Sequence, residues 1–88
     1  MKIKDGFIVR EIADTIVAVP TGDLVNEFEG IIDLNSTGKF IWELLENDIS
    51  IEEVINKLME KYNVDEDSAR KNAEKFIDNL RKANIIEE

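Results

Sequence analysis

The spacing of apolar residues changes near residue 35, and this change divides the chain into two parts. Before it, short runs rich in β-branched and aromatic residues predict strands over residues 7–12, 15–20 and 30–34. Only Ala13-Asp14 separates the first two runs, as expected of a hairpin. A polar connection that contains Thr21-Gly22-Asp23 leads to the third run. The first part therefore predicts three antiparallel strands.

After residue 35 the apolar positions recur every three or four residues, which predicts three helices. The chain is thus expected to form a single α+β domain over residues 1–88, with a three-stranded antiparallel N-terminal sheet followed by a three-helix bundle. The residues expected to cap or end these helices are Asn35 or Ser36, Ser50 with Glu53, Asn63 and Asn84, and the third helix is expected to begin at Asp65.

The 88 residues include no cysteine and no histidine. Their absence removes thiolate nucleophiles, disulfides, zinc sites built on Cys or His, and imidazole acid–base chemistry. Paired carboxylates such as Glu52-Glu53 and Glu66-Asp67 lie at predicted helix starts, where capping and the helix dipole explain them. We therefore expect a protein that is not an enzyme and that holds no cofactor or metal.

No stretch of the sequence approaches the ~20 apolar residues of a membrane span. The first residues also lack the apolar run of a signal peptide. We therefore expect a cytoplasmic protein with no membrane partner. Its net charge of −9 repels phosphate groups, so a nucleic-acid partner is not expected either.

Two features of the first predicted helix have both a functional and a structural interpretation. Thr37-Gly38 lies near the helix start, where the dipole favours an anion, but the glycine also permits close packing of the helix against a strand. We favour the packing interpretation. Trp42 lies beside the apolar stripe, and we expect it to pack at the core edge rather than to stack on a ligand.

One face of the third predicted helix is rich in lysine. Lys71, Lys75, Asp78 and Lys82 share this face because they are spaced by four, three and four residues. The face is either simply solvated or the basic wall of a binding site. The third predicted strand favours a binding site, since its free edge would offer unpaired backbone groups to an extended peptide.

The start of the first helix also contains a family signature. The stretch after Asp33-Leu34 is similar to Leu-Asn-x-Thr-Gly-x-x-(aliphatic)-Trp-x-Leu and reads Asn35-Ser36-Thr37-Gly38-Lys39-Phe40-Ile41-Trp42-Glu43-Leu44-Leu45. Further similarities are Arg10-Glu11, Val19-Pro20 and Tyr62-Asn63-Val64, the last followed by the closing helix. Over nearly its whole length the chain resembles the PqqD-like RiPP recognition elements, where RiPP denotes a ribosomally synthesised and post-translationally modified peptide.

This resemblance implies a winged-helix-like fold and binding of the leader segment of a precursor peptide. In such domains the leader adds as a strand beside the third strand, against the third helix, and the resemblance implies that it is delivered to a modifying enzyme, often a radical SAM maturase. By position, the implied contacts are Gly30, Ile31, Ile32, Asp33, Leu34, Ala69, Asn72, Ala73, Phe76 and Ile77. Lys71 and Lys75 are added because of their charge, as candidates for contact with an acidic leader.

Asn72 and Ala73 stand where family members often have an acid and an aliphatic residue, so the pocket is expected to differ in size and polarity. Two other functions fit the same elements: a nucleic-acid-binding winged helix and an adaptor module that binds a protein. The net charge and the strands-first order weigh against the nucleic-acid function. The sequence leaves monomer and dimer open, because an exposed edge strand permits self-pairing.

Overall fold

The computed structural model of the protein describes residues 1–28 and 31–87. Within them, the strands Phe7–Ile12 (β2), Thr15–Pro20 (β3) and Ile32–Leu34 (β4) form an antiparallel sheet in that order, and Lys2–Ile3 (β1) pairs antiparallel with Ile86–Glu87 (β5). The predicted architecture, a three-stranded antiparallel sheet followed by three helices, is confirmed. The elements are β1 (Lys2–Ile3), β2 (Phe7–Ile12), β3 (Thr15–Pro20), β4 (Ile32–Leu34), α1 (Ser36–Leu45), α2 (Ile51–Tyr62), α3 (Glu66–Lys82) and β5 (Ile86–Glu87).

The first two strands have the predicted bounds and are joined by the expected hairpin. Ala13 has φ 56°, a left-handed conformation of the kind that a two-residue hairpin turn requires. The third strand is shorter than the predicted 30–34, because it begins at Ile32. Gly30 lies outside the described residues, and Ile31 precedes the strand.

The first two helices begin at predicted caps, and Asp65, where the third was expected to begin, is the cap that precedes it. Asn35 Oδ1 accepts a hydrogen bond from the Gly38 N–H at 2.7 Å, and Asp65 Oδ1 accepts one from Ser68 at 2.8 Å. Ser50 accepts from the Glu53 N–H at 3.2 Å and donates its own hydroxyl to the Glu53 carboxylate. These bonds satisfy N–H groups that the first turn of a helix leaves without partners.

The core lies between the inner face of the β2–β3–β4 sheet and the three helices. Trp42 is 1% exposed and is among the largest fully buried side chains, so its predicted place at the core edge is wrong. The Phe7 ring and the Trp42 indole pack edge to face, with ring centroids 5.6 Å apart. Ile85 and Ile86 return to the core as expected.

Three short elements are absent from the sequence-based prediction. A 3₁₀ helix over Gly22–Asn26 occupies the polar connection between β3 and β4. The short strands β1 and β5 join the two ends of the chain, and the Lys4 N–H donates to the Ile85 carbonyl at 2.9 Å. A two-residue strand has too little pattern to be recognised in a sequence.

The sheet has two outer strands, β2 and β4, and its hydrogen bonding shows which backbone groups point outward. The Thr21 N–H donates to the Gly6 carbonyl at 2.7 Å, just beyond the paired ends of β2 and β3. Both backbone groups of a residue in an antiparallel ladder point to the same neighbour, and the side alternates along the strand. Outward-pointing groups therefore belong to Phe7, Val9 and Glu11 in β2, and to Asp33 in β4.

Candidate functional site

A groove of about 300 Å³ lies between the N-terminal turn of α1 and one face of α3, next to the end of β4. Ile41 and Phe76 supply its apolar part, and the remaining side chains are mostly amides and a hydroxyl. The residues that line it are Asn35, Thr37, Gly38, Ile41, Asn72, Lys75, Phe76 and Asn79.

Gly38 allows α1 and α3 to approach each other at this groove. A Cβ at this position would lie 3.1 Å from Phe76 Cε1 and 3.7 Å from Leu34 Cδ2. Close packing, the interpretation favoured from the sequence, is confirmed. Its main partner is the ring on α3, whereas a strand was expected. Because Gly38 has no side chain, the Phe76 ring of α3 can pack against the first turn of α1, close to Leu34 at the end of β4.

The α3 wall of the groove is a single helical stripe. Asn72, Lys75, Phe76 and Asn79 recur at spacings of three, one and three residues, so they project from the same face. Lys75 is the only charged residue among those lining the groove, and it forms no ion pair with any described residue. A ligand carboxylate would find an unpaired ammonium group at this position.

The structure places the sequence-predicted contacts in three different environments. Asn72, Lys75 and Phe76 line the groove, whereas Lys71 is exposed on α3 outside it. Ala69, Ala73 and Ile77 are at most 1% exposed and face the core.

The predicted contacts of the third strand also differ from one another. Asp33 is exposed and Ile31 is 59% exposed, while Ile32 is half-buried and Leu34 is 7% exposed. The inner face of β4 therefore belongs to the core, and the side chain of Asp33 lies on the solvent face. Gly30 lies outside the described residues.

Sequence reasoning missed five residues that line the groove: Asn35, Thr37, Gly38, Ile41 and Asn79. From the sequence, Asn35, Thr37 and Gly38 were considered only for capping, anion binding or packing. In the structure these residues also form the α1 side of the groove. The helical spacing of Asn79 from Asn72, Phe76 and Lys75 was the available signal, because it extends the stripe by one turn.

Shifted pKa values occur at contacts that hold the helices rather than at the groove. The backbone N–H and the side chain of Ser68 lower the pKa of Asp65, which caps α3. The N-terminal ammonium group lowers the pKa of Asp48, and Glu52 raises the pKa of Arg70 through a hydrogen bond. Each bond favours the charged form of its group.

The described part of the chain holds no group of three or more carboxylate side chains arranged to bind a metal ion. Across residues 1–28 and 31–87, none of the helices has the length and apolar character needed to cross a membrane.

The family model for "Coenzyme PQQ synthesis protein D (PqqD)" matches residues 17–86. The chain belongs to the PqqD family. A solved structure described as "TbiB1 in Complex with the TbiA(beta) Leader Peptide" is similar to this protein, with a TM-score of 0.75 and 25% sequence identity. The match covers 99% of this chain and 95% of that chain. None of the curated proteins with which the sequence was compared matches it.

Proposed function

We propose that this PqqD-family domain binds the leader segment of a ribosomally made precursor peptide by adding it as a strand to β4. The observation that carries the proposal is the outer edge of β4, which pairs with no other described strand and leads directly into Asn35 at the α1–α3 groove. The similarity to TbiB1, which was solved with a leader peptide, supports the same assignment.

The backbone of Asp33 would form the ladder with the leader, because its N–H and C=O point away from β3. Strand addition gives affinity through main-chain hydrogen bonds, while pockets for alternate side chains give specificity. Here the Phe76 ring would receive an apolar leader side chain, and Lys75 would pair with an acidic one. Asn72 and Asn79 would hydrogen-bond with the polar part of the peptide.

In this proposal the domain performs no chemistry itself and presents the leader to a modifying enzyme, of which a radical SAM maturase is our candidate. Lys71, on the exposed part of α3, would contribute only to the charge around the groove. The interaction would take place in the cytoplasm, where the precursor is made.

The test uses a synthetic leader of the precursor encoded nearest to the gene, titrated into the ¹⁵N-labelled full chain. We expect saturable amide shifts at residues 31–34 and 72–79. The substitution Asp33→Pro removes an outward N–H without removing a bond to β3, and it should weaken binding at least about fivefold. Val9→Pro is the matched control on β2 and should bind the leader normally.

Saturable shifts confined to other surfaces would refute the site. Equal leader affinity in Asp33→Pro and the wild-type chain would refute strand addition. Failure of every neighbouring precursor to bind at millimolar concentration would count against leader recognition altogether.

A further inference from the structure

The second free edge of the sheet borders another groove, about 530 Å³ in volume. One wall is the backbone of β2 over residues 7–11, and the other is a stripe of α1. This groove shares no lining residue with the α1–α3 groove. The helix side of the groove is formed by Lys39, Trp42, Glu43 and Glu46, the last of which is the C-cap of α1. These residues are spaced by three, one and three positions.

The β2 edge meets the backbone requirements for strand addition. Phe7, Val9 and Glu11 each direct one N–H and one C=O away from β3, and none of these groups bonds to another described element. An edge strand with no proline or bulge leaves its outward backbone groups available for another strand to add. Pro20 lies on β3, so no proline interrupts β2 itself.

The side chains around this edge specify the chemistry of an added strand. On the helix side, Lys39 is paired with Glu11 at 3.2 Å, whereas Glu43 and Glu46 are exposed and form no ion pair with a described residue. On the opposite face of the sheet, Ile8 is 41% and Ile12 is 61% exposed, and the exposed Arg10 lies between them. A strand beside β2 would therefore place alternate residues against carboxylates on the helix side and against Ile8, Arg10 and Ile12 on the other face.

We propose that the β2 edge binds an extended segment of the modifying enzyme in which cationic and apolar residues alternate. This inference rests on the proposed function, because it assigns the partner that receives the leader. β2 and β4 are opposite edges of one sheet, so leader and enzyme segment can bind together as the outer strands of a five-stranded sheet.

A second copy of this chain fits the edge poorly. Antiparallel pairing of two β2 strands about a twofold axis would bring the α1 carboxylates of both copies, Glu43 and Glu46, to the same interface. Each copy also has a net charge of −9, which opposes close association. A cationic partner removes both penalties.

The test uses a capped hexapeptide of alternating lysine and valine, with a glutamate–valine hexapeptide as the charge-reversed control. Titrated into the ¹⁵N-labelled full chain, the lysine peptide should shift the amides of Phe7, Val9 and Glu11 and leave Asp33 unchanged. Val9→Pro should lower the affinity for the lysine peptide about fivefold or more, because one hydrogen bond from the outer edge of β2 is lost. Asp33→Pro should bind it normally.

The surface double variant Glu43→Gln/Glu46→Gln keeps the backbone intact and provides a second test. We expect it to lower the affinity for the lysine peptide about three- to tenfold at low salt and to remove most of the dependence of that affinity on salt. An unaltered amide spectrum outside α1 would show that the fold is retained.

Four outcomes would overturn the proposal: no saturable binding of the lysine peptide, shifts centred on Asp33 and Phe76, equal binding of the glutamate peptide, or wild-type affinity in both variants. Concentration-dependent shifts of the β2 amides without peptide, abolished by Val9→Pro, would identify a second copy as the occupant and would also overturn it. If the leader fails to bind at β4 while the lysine peptide binds at β2, leader recognition is refuted and the edge assignment stands.

Discussion

The two outer strands of the sheet differ in length and in the helix that lies beside them. β4 has three residues, and Asp33 alone within it directs its backbone outward, but its groove includes the Phe76 ring and the unpaired Lys75. β2 has six residues, three of which point outward, and its groove has carboxylates on the helix side. One edge is short with specific side chains around it, and the other is long with a repeated backbone pattern.

This difference predicts a difference in selectivity. Binding at β4 should depend strongly on particular side chains of the ligand, because a short ladder supplies few hydrogen bonds. Binding at β2 should depend on strand length and on charge alternation. The helix sides of the two grooves carry unpaired charges of opposite sign, Lys75 at one and Glu43 and Glu46 at the other, so we expect each ligand to bind poorly in the other groove.

The largest expected effect comes from filling the contact between α1 and α3. Gly38→Val would place a Cβ only 3.1 Å from Phe76 Cε1, and it should lower the free energy of unfolding by about 1–3 kcal/mol. Leader affinity should fall with it, while the lysine peptide retains its affinity at β2. Denaturant unfolding and the two titrations measure these effects.

Adding Phe76→Leu to Gly38→Val is the control, because a smaller side chain on α3 should recover part of the lost stability. Wild-type stability and leader affinity in Gly38→Val would contradict the packing explanation.

Removing the charge in the β4 groove should have a smaller effect. Lys75→Gln is expected to lower the affinity for an acidic leader by about two- to fivefold, or roughly 0.5–1 kcal/mol, and to make that affinity less dependent on salt. Lys71→Gln is matched in chemistry and lies outside the groove, so it should change the affinity by less than about twofold. Equal losses in both variants would mean that only the overall charge of α3 matters.

Acid should loosen the α3 cap through the protonation of Asp65. The pKa of this carboxyl is lowered below its ordinary value of 3.8 by Ser68, so the charged form stabilises the folded state. Its contribution is complete above the unfolded pKa and is lost as pH falls through the lower folded pKa. In Asp65→Asn, unfolding followed by circular dichroism should show a weaker loss of stability below about pH 4 than in the wild type. An identical acid profile would exclude this cap as a contributor.

The smallest expected effect is the coupling between the two edges. Because β3 separates them and the two grooves share no residue, saturation with leader should change the affinity for the lysine peptide by less than about twofold. Titration of the lysine peptide with and without bound leader measures this coupling. A change above tenfold would show that the edges are not independent.

Local chemistry made much of the fold predictable from the sequence. The hairpin bounds, the caps at Asn35, Ser50 and Asp65, and the left-handed residue Asn63 follow from side chains that act within three or four positions of themselves. The pairing of β1 with β5 was not predictable, since it depends on where the two ends of the chain meet.

The groove was predicted only in part for the same reason. Helical spacing identifies which residues share a face, but only the packing of α3 decides which face is buried. Ala69, Ala73 and Ile77 thus lie in the core, while Asn72, Lys75 and Phe76, on the adjoining stripe, line the groove.

The sequence by itself determined the order of strands and helices, the helix caps, and the absence of cysteine and histidine chemistry. It also carried the signature of the family. The tertiary structure decided that Trp42 is fully buried, that Gly38 packs closely against the Phe76 ring, and that, among the described residues, the sheet has two outer strands with chemically different surroundings. Side-chain chemistry acts over a few residues of the chain, whereas edges and grooves exist only where segments distant in sequence pack together.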